Sequence, residues 1–350
     1  MSSGKRGMKA TKSCEGGGVG VSHGIALKVG VAALVLCSAL LLTSCDGTIE
    51  MEGLFGEAPA LTADVSADDP SRANPGAPRD TTPVVLVAEQ PGIATYDHDK
   101  ATLDYSNVAA GYLCVRNNMA GVKVMVIMTV PDGNQYKYPI TESGVFQTIP
   151  LSRGNGVYQV DVYENLYGDS YAAIFTQQVD VALADEYGAF LYPNTVVRFS
   201  DGDEAVTLSR QLATNATSDV EVVDQIYMWV VQNIEYDYEK AETVAPGYLP
   251  DNADTLRTKT GICFDYAALM AAMLRAQSLP TKLDVGYCGE AYHAWIEVYT
   301  RDAGWIRKKI EFPGGAYVRL DPTFDSAGKG TGDVSRLVGD GRTYQPMFYY

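Results

Sequence analysis

The hydrophobic period changes from that of strands to that of helices near residue 200, and that change limits what this chain can fold into. Before it, short runs rich in β-branched and aromatic residues follow one another, from Val84-Val85-Leu86-Val87 to Tyr171–Val181. In Val157-Tyr158-Gln159-Val160-Asp161-Val162, the side chains of Tyr158, Val160 and Val162 share one face of a strand. Pro131-Asp132-Gly133-Asn134 is a strong turn signal between two such runs. Short strands at this spacing imply an all-β sandwich of immunoglobulin-like type over residues 84–185. As a sandwich it reads as a spacer or a brace for the C-terminal half of the chain, since nothing in it names a ligand.

Beyond residue 200 the period becomes helical. Glu204–Ala213 reads as a short helix. Ser218-Asp219-Val220-Glu221 has the form of a capping box, and Val222, Val223, Ile226, Trp229, Val230 and Ile234 then recur at helical spacing. Residues 236–254, with Pro246-Gly247 and Pro250, read as a loop. A further helix starts near Cys263 and stops before Leu279-Pro280, because the residue before proline disfavours helix. Lys282–Tyr287, His293–Thr300, Trp305–Glu311 and Tyr317–Asp321 read as antiparallel strands. Helices followed by a run of strands predict an α+β domain over residues 186–350. The tail Arg336–Tyr350 carries no assignment.

The N-terminus looks like a leader. Lys5, Arg6, Lys9, Lys12 and Lys28 precede an uncharged run from Val29 to Leu42, which matches a signal-peptide core and is short for a membrane span. The run ends in Leu42-Thr43-Ser44-Cys45, similar to a bacterial lipoprotein box. Residues 1–44 are therefore expected to be removed and Cys45 to be lipidated, with export to the outer face of the cytoplasmic membrane. Residues 45–83, rich in Ala, Asp, Pro, Ser and Thr, read as a flexible tether. The net charge of −16 becomes more negative when the basic leader leaves. Such a surface disfavours nucleic acid as a partner.

Of the six cysteines, Cys14 and Cys37 lie in the leader and Cys45 is the lipidation candidate. Cys114, Cys263 and Cys288 remain, an odd number, so at least one thiol is left over; a Cys114–Cys288 disulfide is conceivable. No C-x-x-C pair supports a zinc site, and no cofactor or metal is called for. Cys263 stands where a helix should begin, with Gly261 two residues earlier to let the chain turn in. Helix N-termini stabilise thiolates and offer backbone N–H groups to an oxyanion. Of the three histidines, His23 is in the leader and His98 in the β half, so His293 is the one base available in the α+β domain. Asp321 ends an apolar strand and can orient that imidazole.

These stretches together resemble the transglutaminase-like superfamily. Thr260-Gly261-Ile262-Cys263-Phe264-Asp265-Tyr266-Ala267, with Leu274-Arg275-Ala276 and Leu279-Pro280-Thr281, is similar to its nucleophile helix. His293-Ala294-Trp295-Ile296-Glu297-Val298 and Leu320-Asp321-Pro322-Thr323 resemble its His and Asp motifs. Ile226-Tyr227-Met228-Trp229-Val230 and Ile234-Glu235-Tyr236-Asp237 resemble the elements upstream of the Cys in bacterial members. The resemblance covers about residues 190–325. It implies a papain-like α+β fold and a cysteine-dependent acyl-transfer enzyme or peptidase acting on a protein or peptide substrate through a thioester. Cys263 is then the nucleophile, His293 the acid and base, and Asp321 the orienting carboxylate. Tyr236 and Trp229 are both candidates for the second oxyanion donor. Water as acceptor gives a protease or amidase, and an amine gives a transamidase. No motif supports the calcium dependence of some animal members, since Asp201-Gly202-Asp203-Glu204 reads as a solvated loop before a helix. The other class open to this chain is a non-catalytic envelope protein that keeps the fold for binding.

Overall fold

The computed structural model describes residues 79–301, 304–306, 310–311, 317–318, 323 and 344–350. In its first half the strands are β1 (Thr95–Asp97), β2 (Ala101–Asp104), β3 (Tyr112–Asn117), β4 (Val124–Thr129), β5 (Gln135–Ile140), β6 (Phe146–Pro150), β7 (Gly156–Tyr167) and β8 (Ser170–Val181). They form two four-stranded antiparallel sheets, in the orders β1-β2-β3-β6 and β5-β4-β7-β8. Tyr158, Val160 and Val162 of β7 are fully buried, as their alternation requires. The β4–β5 hairpin closes at Gly133, whose φ of +86° only glycine adopts without strain.

One expected strand is absent. Val84–Val87 pairs with no sheet; instead the Val84 N–H donates to the Ala276 carbonyl, 2.8 Å away. The reason lies just upstream, where Arg79 donates to the Asp219 carboxylate (2.7 Å) and to the Gln277 carbonyl (2.6 Å). Residues 79–83, the last of the stretch read as a tether, therefore run across the α+β half.

In that half come α1 (Glu204–Ala213), α2 (Asp219–Asn233), β9 (Glu235–Tyr236), α3 (Tyr238–Thr243), α4 (Asn252–Thr258), β10 (Thr260–Gly261) and α5 (Cys263–Ala276). They are followed by β11 (Thr281–Cys288), β12 (Ala291–Thr300), β13 (Gly304–Ile306), β14 (Ile310–Glu311), β15 (Tyr317–Val318) and β16 (Tyr344–Tyr349). Ser218 caps α2 by accepting from the Glu221 N–H (3.2 Å), but the returning Glu221 carboxylate takes the Thr217 N–H (2.6 Å), one residue beyond a regular capping box. Two short helices occupy the stretch read as a loop. Asp237 caps α3 by accepting from the Lys240 N–H, and Asp251 caps α4 by accepting from Ala253 and Asp254.

The main sheet of this half has the order β13-β12-β11-β16, all antiparallel, and β14 pairs with β15. Its last member comes from the unassigned tail. Ala294, Ile296 and Val298 of β12 join the core with Ala267, Met270, Ala271 and Leu274 of α5. Alanines at 267, 268, 271 and 272 give α5 a narrow profile, and it is buried on nearly every side from Asp265 to Ala276. Among the described residues no helix is long and apolar enough to cross a membrane.

Arg275, in the last turn of α5, is 1% exposed. Its guanidinium donates to the main-chain oxygens of Thr281 (3.0 and 2.7 Å), Tyr192 (2.9 Å) and Tyr350 (2.6 Å), and burial pulls its pKa down to about 9. One side chain thus ties α5 to β11, to the segment leading out of the β half and to the chain end. Arg275→Met is expected to lower unfolding stability by about 3 kcal/mol, since it strands buried carbonyls. Urea denaturation measures this, and an unchanged midpoint would remove the account.

Candidate active site

The approach to Cys263 is built from β-pairing and a buried carboxylate. Lys259 ends α4 in the left-handed region (φ 57°) and turns the chain into β10. There Thr260 and Gly261 pair in parallel with Glu235 and Tyr236 of β9, with the Asp237 N–H donating to the Gly261 carbonyl at 2.9 Å. Ile262 stands at the cap of α5, where its side chain offers no acceptor. Asp265 supplies one: its Oδ2 accepts from the Ile262 N–H at 2.8 Å. The same oxygen takes the Lys240 ammonium at 2.7 Å, and its Oδ1 takes the Tyr248 hydroxyl. Lys240 in turn donates to the Tyr248 oxygen at 2.8 Å.

Gly261 therefore serves a purpose other than the tight turn its sequence position suggests. Its φ is not in the left-handed region. A Cβ at 261 would stand 2.7 Å from the Asp265 Cβ, so the glycine is needed for close approach of β10 to that carboxylate.

Cys263 is a half-buried free thiol at the first position of α5. Burial, then Tyr287, then Cys263, raise the phenol of Tyr292, the residue before His293 on β12, above its ordinary value. His293 is 5% exposed and pairs across the sheet with Gly286. Its ring lies parallel to that of Trp295 (centroids 6.2 Å apart) and 6.4 Å from Tyr344 of β16. Trp295 and Tyr344 also line a cavity of about 420 Å³, with Lys282, Glu297, Phe190 and Trp305 among its other walls. Lys282 lies 3.5 Å from Glu297 and 3.8 Å above the Trp305 ring.

The two oxyanion candidates are placed differently. Tyr236 is held by β-pairing opposite Gly261, two residues from the thiol, with its ring against Tyr238 (4.9 Å). Trp229 lies on α2, half-buried, with the Lys259 ammonium 4.7 Å over its ring. Asp321 and Cys45 lie outside the described residues. Cys114 and Cys288 are not joined by a disulfide; both are buried thiols, one on β3 and one on β11. Burial pushes the Cys114 thiol up to about 11. The residues that sequence reasoning left without a role are Lys240, Tyr248, Asp265 and Tyr344. The first two sit in or beside helices whose Asp caps were legible signals.

Residues 206–309 match the family model of the transglutaminase-like superfamily. This segment is a transglutaminase-like domain. The transglutaminase-like segment is also similar in sequence to a UPF0252 protein of Methanocaldococcus jannaschii, 33% identical over 88 residues, covering 22% of this chain and 25% of that one. The kyphoscoliosis peptidase of Mus musculus is 34% identical over 105 residues, 26% of this chain and 16% of that one. The chain thus spans a quarter or less of these relatives' own length. Among solved structures, the periplasmic domain of TgpA from Pseudomonas aeruginosa is 16% identical with a TM-score of 0.32, covering 71% of this chain and all of that one.

In the transglutaminase-like domain, Gly261→Ala should push the first turn of α5 away from β10. Alkylation of Cys263 is expected to slow about tenfold, because small misplacements of a reacting atom are costly. Peptide mapping after iodoacetamide treatment reads this directly, and an unaltered rate would refute the close-approach argument.

Proposed function

We propose that the chain is a thiol enzyme acting on peptide or carboxamide bonds through a Cys263 thioester. The observation that carries this reading is the partly exposed free thiol at the N-terminus of the buried helix α5, which shares its core with β12, the strand that bears the domain's one histidine. In the reaction, the Cys263 sulfur bonds to the carbonyl carbon while its proton passes to His293. Collapse of the tetrahedral intermediate expels the amine, which leaves with that proton. Water or a second amine then attacks the thioester and regenerates the thiol. Asp321 orients His293, and the Cys263 N–H together with Tyr236 or Trp229 receives the oxyanion. The name of the kyphoscoliosis peptidase supports peptide bonds as the substrate class.

The same proposal covers the rest of the chain. Residues 1–44 are an export leader, Cys45 carries lipid, and the protein stands on the outer face of the cytoplasmic membrane. The two sheets of the β half act as an immunoglobulin-like sandwich that braces the catalytic half.

Casein offered with a fluorescent primary amine tests the chemistry. Incorporation of the amine marks a transamidase, and cleavage or ammonia release marks a hydrolase. Cys263→Ala should abolish whichever is seen. His293→Ala should slow alkylation of Cys263 at neutral pH by about 100-fold. The reading fails if Cys263 in the native protein labels no faster than Cys114 or Cys288 and His293→Ala leaves that rate alone. Such a result favours an envelope binding protein that keeps the fold without the chemistry.

A further inference from the structure

The buried carboxylate beside the thiol creates an electrostatic conflict. Asp265 lies two residues after Cys263 in the same first turn and is 0% exposed. A fixed negative charge there repels a thiolate at Cys263 and works against the helix dipole. Capping the Ile262 N–H requires only an acceptor, which a neutral side chain also supplies; a buried carboxylate brings a charge as well, and with it the need for a cation. That cation, Lys240, comes from a separate helix. Its ammonium is 2.7 Å from Asp265 Oδ2 and 2.8 Å from the Tyr248 hydroxyl oxygen, with its side chain 26% exposed. Its ring contact with Tyr248, at 4.5 Å, fixes it further.

We infer that Lys240 sets the charge balance at the head of the nucleophile helix. Its ammonium cancels the field of Asp265, which leaves the N-terminal dipole of α5 to act on the Cys263 thiolate, and Tyr248 holds ammonium and carboxylate together. All three are positioning residues, acting on the thiol through its field, and the inference rests on Cys263 being the nucleophile. Burial opposes the charge on Lys240, yet its bonds to Asp265 and Tyr248 prevail and raise its pKa. Burial and the Asp265 bond push the Tyr248 phenol up to about 12, so it stays a neutral donor. Among the described residues, the titratable groups near this helix end include Glu235 and Tyr236 on β9, Asp237 just after it, and Tyr292 on β12, on which Cys263 acts. Asp237 is engaged with the Lys240 N–H, and the nearby Lys259 ammonium with Trp229. Lys240 is thus the cation bonded to Asp265 among the described residues.

Opposed signs make the inference testable. The rate of Cys263 alkylation by iodoacetamide is followed against pH in the full-length protein by peptide mapping. Lys240→Met leaves Asp265 uncompensated and should move the midpoint up by about one pH unit. Asp265→Asn keeps an acceptor for Ile262 while removing the negative charge, and should move it down. The double variant should return close to the native midpoint, and Lys240→Arg should restore it. A purely structural role predicts slower labelling in every variant with no opposed shifts, and that result overturns the inference while Cys263 still outpaces Cys114 and Cys288. If Cys263 does not outpace them in the native protein, the thiol-enzyme reading falls and takes this inference with it. Should a charge variant fail to melt cooperatively, Tyr248→Phe serves instead: it removes one donor from Asp265 and should give a smaller upward shift, and no shift refutes the inference.

Discussion

A helix buried on nearly every side has little solvent to satisfy its ends, and α5 solves this with one charged side chain at each. At its head the Asp265 carboxylate, itself inside the helix, turns back to the Ile262 N–H and collects Lys240 and Tyr248. At its foot Arg275 turns forward to main-chain oxygens of Thr281, Tyr192 and Tyr350. Buried polar groups are tolerated only when their bonds are made, so each end dictates what must lie near it. The helix therefore acts as the axis of the α+β half. Its head defines the thiol's surroundings, and its foot holds the start of β11 together with Tyr192 and with Tyr350 just beyond β16, both remote in sequence.

Those strands also explain why the two halves share one core. β16 pairs with β11 on one side, and its aromatic residues pack on the β half on the other. Phe348 meets the Tyr136 ring edge-on at 5.1 Å, Tyr350 meets Tyr138 at 5.9 Å, and the Ser152 hydroxyl donates to the Tyr349 carbonyl at 2.7 Å. Gly286, opposite His293, lets β16 come this close; a Cβ there would lie 2.1 Å from the Gln345 carbonyl oxygen. The wall beside His293 thus depends on Tyr344, which depends on β16, which depends on contacts made with the β half.

Local signals in the sequence were sufficient wherever local interactions decide the structure. The period of α2, the start and stop of α5, and the alternation in β7 are all set by neighbours a few residues away, and these elements form where expected. Failures came where distant contacts decide. Val84–Val87 has the composition of a strand, but Arg79 at its threshold is bound to Asp219 and Gln277, and the segment is drawn onto α5 instead. The tail reads as nothing in isolation because β16 exists only as a partner for β11. His293 was legible through scarcity, since the other two histidines lie at positions 23 and 98, and Cys263 through its place at the start of a helix. Lys240 was not, because its role appears only when the chain brings α3 beside residue 265.

Burial also sorts the three described thiols without reference to any motif. Cys114 sits in β3 at 1% exposure, where an ionised sulfur has no solvent and its pKa rises to about 11. Cys288 is fully buried in β11. Cys263 alone among them combines partial exposure with a helix N-terminus, the two conditions that a nucleophilic sulfur requires together. Exposure without the dipole leaves the thiol mostly protonated at neutral pH, and the dipole without exposure leaves no path for a substrate. A buried acid two residues along tends to undo the first condition. A lysine held against that acid restores it, and so the chemistry of the thiol and the capping of its helix become parts of one electrostatic arrangement.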